Sequence, residues 1–191
     1  MLDFMLFGFL DSKTLFLILH VFGVALGAGG ALVSDGMFFL STKDRIISKT
    51  EFGFLTMAHK LVSAGLFLLI ISGALLFFQN HESYLASDKF LAKMSIIAIL
   101  GINALVFHFK HIPLFGELSG KKLSENTQFK RASVSIYISG GISVVSWSLA
   151  LILGMLKTVP YSYWTIMSAY LVLILLVIPI ALLFRKKMLQ P

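Results

Sequence analysis

Residues 162–184 read SYWTIMSAYLVLILLVIPIALLF, a run without Asp, Glu, Lys, Arg or His. About 20 predominantly apolar residues are long enough to cross the roughly 30 Å hydrocarbon core of a bilayer as an α-helix. Four further runs have the same character, at about 13–40, 52–79, 89–109 and 132–156. The sequence therefore predicts an all-α integral membrane protein, built as a bundle of five transmembrane helices.

Composition favours a single transmembrane helical domain over residues 1–191. Hydrophobic residues make up 58% of the chain and charged residues 13%, and no segment between the runs is long enough for a soluble domain. Cysteine is absent, which excludes disulfides, thiolate metal sites and cysteine nucleophiles. Any chemistry must use imidazole, carboxylate or amine groups. The expected surroundings are the lipid bilayer of a cell membrane, the inner or plasma membrane if the source is bacterial.

The basic residues predict how the helices are oriented. The net charge is +7, but nucleic acid is not an expected partner, because the positive charges lie in short segments beside apolar runs. With five crossings, the first loop, the third loop and the C-terminal tail share one side of the membrane. The opposite segments contain Asp3, Asp11, Glu82, Asp88, Lys89 and Lys157. The positive-inside rule predicts an outside N-terminus and a cytoplasmic C-terminus. The basic residues of the first side are Lys43, Arg45, Lys49, Lys110, Lys121, Lys122, Lys130, Arg131, Arg185, Lys186 and Lys187.

Two connecting segments have recognisable features. Residues 1–10 are apolar without a positively charged start, which indicates a short interfacial segment, and Asp11 and Ser12 then offer side chains to cap the first helix. Residues 109–131 contain two glycines and mixed charges. They predict a solvated connection between the third and fourth crossings.

The first crossing carries a stripe of small and polar residues on one helical face, bounded by two ionisable side chains. Glycines spaced four apart match the small-xxx-small pattern of helix packing in membranes. Packing alone does not explain His20 and Asp35 at the two ends of the stripe. Ionisable residues inside membranes are commonly functional or paired. The stripe consists of His20, Gly23, Gly27, Ala31, Ser34 and Asp35.

The third crossing has a comparable stripe that includes Lys93, His108 and His111. The separation from His20 to Asp35 equals that from Lys93 to His108, and each corresponds to about 22 Å along a helix. Because the two helices run in the same direction, His20 is expected level with Lys93 and Asp35 level with His108.

The second crossing runs in the opposite direction and places His59 and Lys60 at the depth of Asp35 and His108. This predicts an inner polar cluster that could act as a proton relay, with His20 and Lys93 as a sparser outer pair. The alternative is that the side chains of Lys60 and Lys93 extend to the membrane–water interface. In that case His108 and His111 lie in the interface as well. The inner cluster is Asp35, His59, Lys60, His108 and His111.

Serines line one face of the fourth crossing, at spacings of four, four and three residues. They either bond to their own helix carbonyls and allow close packing, or line a polar path. Tyr137 and Trp147 flank this stripe and could pack against a planar cofactor. The stripe is Ser135, Ser139, Ser143 and Ser146.

Two stretches together carry a family resemblance: LILHVFGVALGAGG at 17–30 and DKFLAKMSIIAILGINALVFHFKHIPLF at 88–115. The chain resembles the small polytopic membrane proteins around the copper-resistance D-type proteins, the membrane protoporphyrinogen oxidase and uncharacterised integral membrane relatives. The resemblance implies a haem b, or a related porphyrin, held between helices with His20 as an axial ligand. The implied function is electron transfer or porphyrin chemistry.

The position of a second haem ligand is a separate question. His59 and His108 are predicted near the opposite membrane face from His20, so neither should reach a haem that His20 binds. They are predicted at similar depth on antiparallel helices, which makes a separate bis-histidine haem site geometrically reasonable.

Two other functions fit the same residues. An Asp and several His on facing helices suit a proton- or ion-coupled transporter of small solutes. The glycine and serine faces instead suit an accessory or assembly subunit that docks on a membrane partner or on further copies of itself. The sequence leaves open whether the protein is an enzyme.

Overall fold

The computed structural model describes residues 5–6, 9–41 and 45–189, and five of its helices are long and apolar enough to span a membrane. Asp3 and Lys43 lie outside the described residues. A two-residue antiparallel pair, β1 (Met5–Leu6) with β2 (Leu10–Asp11), precedes the first helix. The helices are α1 (Ser12–Ser41), α2 (Lys49–Gln79), α3 (His81–Leu85), α4 (Asp88–Val106), a π-helical turn (Phe107–His111), α5 (Ile112–Leu118), α6 (Thr127–Met155) and α7 (Tyr163–Leu189).

Side-chain caps define where the first two long helices start. Asp11 caps α1 as predicted, because its carboxylate accepts hydrogen bonds from the backbone N–H and the hydroxyl of Thr14, each at 2.8 Å. These bonds hold the pKa of Asp11 below its ordinary value. Before α2, Ser48 and Glu51 form a reciprocal capping box. Such caps satisfy backbone N–H groups that the first turn leaves unpaired.

The third membrane span is longer than the sequence analysis predicts. It continues through the π-helical turn and α5 to Leu118 instead of ending near residue 109, so the third connection covers only residues 119–126. Pro113 has no N–H to donate to the carbonyl four residues earlier. The preceding turn is wide, with the N–H of Ile112 bonded to the carbonyl of Phe107 five residues back, and this accommodates the proline without ending the helix. The extension is buried: Phe115 and Leu118 are each 1% exposed.

The long helices pack as two groups that meet in the middle of the bundle. α1 and α2 lie side by side, while α6 packs against both α4 and α7. A central cluster joins the groups through Ala28, Leu69, Leu100 and Trp147. Larger apolar clusters lie towards each end, one that includes Ile47 and Leu123 and one that includes Ile96 and Ile166.

The loops meet in the arrangement that five crossings require. Residues 45–47 of the first loop bond to the third loop, with Gly120 N donating to Ile47 O at 2.7 Å and Leu123 N to Arg45 O at 2.8 Å. Met188 of α7 packs into the same cluster as Ile47 and Leu123. We call this the basic end. At the opposite end, Lys89 in the first turn of the third span donates to the carbonyl of Leu156, which follows the fourth span.

The outer surface of the bundle is apolar. An 18-residue stretch of α7 has a mean hydropathy of 2.8, and the helix exposes Leu171, Leu175, Leu176 and Leu183 along its length. Continuous apolar surface of this extent is unfavourable in water and is typical of contact with lipid. The five helices therefore fit a polytopic membrane protein.

Candidate functional site

α1 and α2 approach so closely that their backbones touch. A Cβ on Gly65 would lie 2.7 Å from both Gly23 O and Gly27 Cα and would also overlap the backbone nitrogen of Gly27. The glycines of the stripe on α1 thus pack against a glycine on α2, as in other membrane helix pairs. This contact fixes the register that brings Asp35 on α1 and His59 on α2 to one place.

A small cavity with polar and apolar side chains in its wall lies between α1, α2, the third span and α6. Its volume is about 50 Å³. A cavity needs only roughly 10–15 Å³ to hold a water molecule, whereas an engineered cavity that binds benzene measures about 150 Å³. The cavity therefore suits water or a very small solute. Its lining residues are Ala31, Ser34, Asp35, His59, Val62, Leu66, Leu100, Asn103, Ala104, Phe107, Ser139, Gly140, Ser143 and Trp147.

Asp35 presents an unsatisfied carboxylate oxygen to this site. Its Oδ2 is buried and has no hydrogen-bond partner. In the described part of the chain, Asp35 forms no ion pair; the ion pair found there joins Lys122 and Glu125 in the exposed third loop. A buried carboxylate without a partner is costly, so it requires a proton, a cation or water to satisfy it.

Trp147 contributes a second orphan group of opposite hydrogen-bonding type. The side chain is 6% exposed, and its Nε1–H is buried without an acceptor. Asp35 Oδ2 can only accept when ionised, while the indole N–H can only donate. A water molecule can satisfy both kinds of group, which agrees with a cavity of this size and polarity.

His59 and His108 form a direct hydrogen bond at the edge of the cavity. His59 Nε2 lies 2.8 Å from His108 Nδ1, and the ring centroids are 5.1 Å apart at 27°. The two residues thus meet at one depth on antiparallel helices, as predicted. His59 is buried and lines the cavity, whereas His108 is exposed on the outer side. The pair connects the cavity to the surface of the bundle.

Hydrogen bonds of two polar side chains of the third span, Asn103 and His111, tie it to α6. Asn103 donates to the carbonyl of Ser139 at 3.0 Å and accepts from its hydroxyl at 2.8 Å. Nearer the basic end, His111 Nε2 lies 3.1 Å from the hydroxyl of Ser135. Ser146 bonds back to the carbonyl of Ile142, which is the first of the two predicted uses of the serine stripe, while Ser139 and Ser143 line the cavity.

The outer pair lies away from this cavity. His20 Nδ1 is 3.1 Å from Ser72 Oγ, and that hydroxyl donates to the carbonyl of Leu68 at 2.6 Å. Ser72 therefore accepts from His20 Nδ1–H, which leaves the lone pair of a neutral His20 on Nε2. Lys93 is half-buried and within electrostatic range of His20, so the two do lie at a similar level.

The remaining predicted site residues do not face the cavity. Lys60 is exposed, which agrees with a lysine that extends towards the interface. His111 is 2% exposed and is held by Ser135 on the α6 side, with its Nδ1 buried and unpartnered. The cavity therefore gathers Asp35 and His59 from the predicted cluster, and adds His108 through a hydrogen bond.

The prediction from sequence missed two residues of α2 that contact α1, although the sequence contains a signal for both. Gly65 and Ser72 lie on the same face of α2 as Ala58, at intervals of seven residues. Small residues at this spacing mark a helix face that packs closely against a neighbour. That face meets α1 at the glycines and holds His20 at the opposite end.

The two imidazoles do not fit axial ligation of one haem in this geometry. Each metal–imidazole bond is about 2 Å long, so two ligands on opposite faces of one iron lie about 4 Å apart. Here the nitrogens are 2.8 Å apart and share a hydrogen bond. The cavity is also much too small for a porphyrin. Among the described residues, no group of three or more His, Asp or Glu side chains is placed to hold a metal ion.

Comparison with known proteins gives no relative from which a function could be transferred. No family model, curated protein or solved structure matches the chain. A function can therefore be inferred only from the cavity and the residues that line it.

Proposed function

We propose that this chain is a membrane transport protein that moves protons, and that Asp35 is the group that takes them up and releases them. The observation that carries the proposal is the unpartnered, buried Oδ2 of Asp35 at a cavity that also has His59 and serine side chains in its wall, within an apolar bundle. Intramembrane carboxylates in such positions commonly belong to proton relays or ion pathways.

The polar lining supports a proton over a larger substrate. Asn103 and Ser139 satisfy each other, so they shape the wall without competing for Asp35. His59 and the hydroxyls of Ser34 and Ser143 remain as groups that can exchange hydrogen bonds with water in the cavity. Water and imidazole both pass protons along hydrogen bonds, whereas a dry apolar wall does not.

The proposal includes an orientation. The basic end holds Arg45, Lys121, Lys122, Arg185 and other positive residues, and the positive-inside rule assigns such an end to the cytoplasm. Asp35, His59 and His108 then lie in the cytoplasmic half of the bundle, with the N-terminus outside. Protons would reach Asp35 from the cytoplasmic side.

Proton flux into proteoliposomes tests the proposal. With a potassium diffusion potential as the driving force and an internal pH dye as the readout, the native protein is expected to acidify or alkalinise the lumen faster than empty vesicles do. Asp35→Asn keeps the size of the side chain but removes the titrating group, so its flux is expected to fall to the level of empty vesicles.

Asp88→Asn provides the matched control, because Asp88 is exposed in the first turn of α4 and the substitution is chemically the same. It is expected to keep the native rate. Native flux no faster than that of empty vesicles, or full flux in Asp35→Asn, contradicts the proposal.

A haem-associated function is the second candidate, and one observation favours His20 for it. The hydrogen bond from Nδ1 to Ser72 orients the ring and leaves Nε2 free to bind a metal, as in many metal-ligating histidines. Oxidised and reduced visible spectra of the purified protein separate the candidates, because bound haem gives a Soret band. An accessory role in a complex is instead indicated by a partner that copurifies.

A further inference from the structure

We propose that the hydrogen-bonded pair of His59 and His108 is the path by which protons pass between the aqueous phase at the basic end and the cavity. This inference rests on the proposed function and adds the route to it. The pair spans the wall of the bundle: His59 lines the cavity and is 8% exposed, while His108 is exposed.

The neighbouring lysines place the outer ring near water. Lys60 follows His59 directly, Lys110 lies two residues after His108, and both are exposed. A lysine ammonium is costly in hydrocarbon and extends to the headgroup region. The exposed side of His108 therefore lies at a depth that water reaches, although His59 behind it is buried.

The geometry of the pair suits proton transfer in three balanced steps. In the starting state, His108 Nδ1–H donates to His59 Nε2 across 2.8 Å, and His59 carries its own proton on Nδ1. A proton from water binds the lone pair on His108 Nε2. The shared proton then moves from His108 Nδ1 to His59 Nε2, and His59 releases its Nδ1 proton towards the cavity.

One proton has entered and one has left, and no electrons are transferred. Water in the cavity can carry the released proton to Asp35, since both His59 and Asp35 line it. Rotation of both rings returns the pair to its starting tautomers after a proton has entered, whereas the same three transfers in reverse carry a proton from the cavity back to water. Neither ring nitrogen of the pair needs to leave its place during a transfer.

The π-helical turn explains why His108 and His111 differ although both precede Pro113. The wide turn directs His108 to α2, where it meets His59, and His111 to α6, where it meets Ser135. His111 is buried and does not line the cavity. It therefore serves as an internal control with the same side chain on the same turn.

The rate at which Asp35 becomes protonated tests the inference. The full-length protein in detergent is mixed rapidly to lower pH, and the C=O stretch of the protonated Asp35 carboxyl is followed by time-resolved infrared spectroscopy. In His108→Ala the rate is expected to fall roughly 100-fold, the scale by which a positioned side chain accelerates proton transfer. Imidazole added to the solution is expected to restore most of the native rate, whereas His111→Ala keeps it.

A second variant covers the case in which His108→Ala fails to fold. His108→Asn retains an amide near the position of Nδ1, so it can hydrogen-bond to His59 but cannot relay a proton. It is expected to be as slow as His108→Ala. If the native protein shows the Asp35 band and either folded variant protonates at the native rate, the proposed path is wrong. If the native protein shows no such band, the proposed function itself fails.

Discussion

Replacing Gly65 by alanine is expected to lower the thermal unfolding midpoint of the purified protein by roughly 6 to 12 °C. The added methyl group would overlap the backbone of Gly27, and it would lie 2.7 Å from the carbonyl oxygen of Gly23. Backbone atoms cannot move aside as a flexible side chain can, so α1 and α2 must separate. Overpacking costs about 1–3 kcal/mol, and a clash with backbone belongs at the upper end, about 3 kcal/mol. Each kcal/mol shifts the midpoint of a protein this size by about 2–4 °C.

Gly53 on the same helix supplies the control. A Cβ at Gly53 would meet no atom within 4 Å. Gly53→Ala is therefore expected to leave the midpoint unchanged or to raise it slightly, because alanine is the better helix former by about 1 kcal/mol. Equal midpoints for Gly65→Ala and the native protein would mean that the two helices do not pack through this contact.

Gly27→Ala is expected to destabilise the protein by about 1–3 kcal/mol, and Trp147→Phe to remove most of that cost. The three nearest atoms to a Cβ at Gly27 all belong to the six-membered ring of Trp147. Shortening the ring system opens the space that the new methyl group needs. The double variant is therefore expected to be more stable than the sum of the single effects predicts, by about 1 kcal/mol or more.

Gly29→Ala tests whether this coupling is specific. Gly29 lies two residues away on the same helix, but a Cβ there would meet no atom within 4 Å. Its effect on the free energy of unfolding, measured by denaturant titration in detergent, is expected to add to that of Trp147→Phe. Additive behaviour of Gly27→Ala with Trp147→Phe would show that Trp147 does not pack against α1 as described.

The spans could be predicted from sequence because hydropathy and length are strong, local signals. All five predicted runs fall in long helices. The stripe on α1 was also readable, since helical periodicity fixes which residues share a face. This periodicity predicts that the stripe faces the rest of the bundle. In the structure, Gly23 and Gly27 lie at the contact with α2, and Ser34 and Asp35 line the cavity.

The third span shows what periodicity misses. The two glycines and mixed charges of residues 109–131 predict the end of the helix near residue 109, and helical periodicity carries no signal for a π-helical turn. The turn shifts the register of every residue after Phe107. As a result His108 and His111 face different helices, although the sequence analysis grouped them on one stripe.

The direct contact between His59 and His108 also exceeds what sequence can give. Helical geometry predicts similar depth, but an interatomic distance depends on how closely α2 and the third span approach. That distance decides the chemistry, because nitrogens 2.8 Å apart share a proton, whereas ligands of one iron need a wider separation. The haem predicted from the resemblance thus stays a prediction, tested by its spectrum.

The most direct test of the account is whether Asp35 takes up and releases a proton in the folded protein. Infrared difference spectra between acidic and alkaline pH resolve the C=O stretch of a protonated carboxylic acid. Because the other Asp and Glu side chains also absorb there at acidic pH, the account predicts the Asp35 band as the component that the native protein and Asp88→Asn contain and Asp35→Asn lacks. Native spectra without the band at any pH, or a band unchanged in Asp35→Asn, would contradict the account.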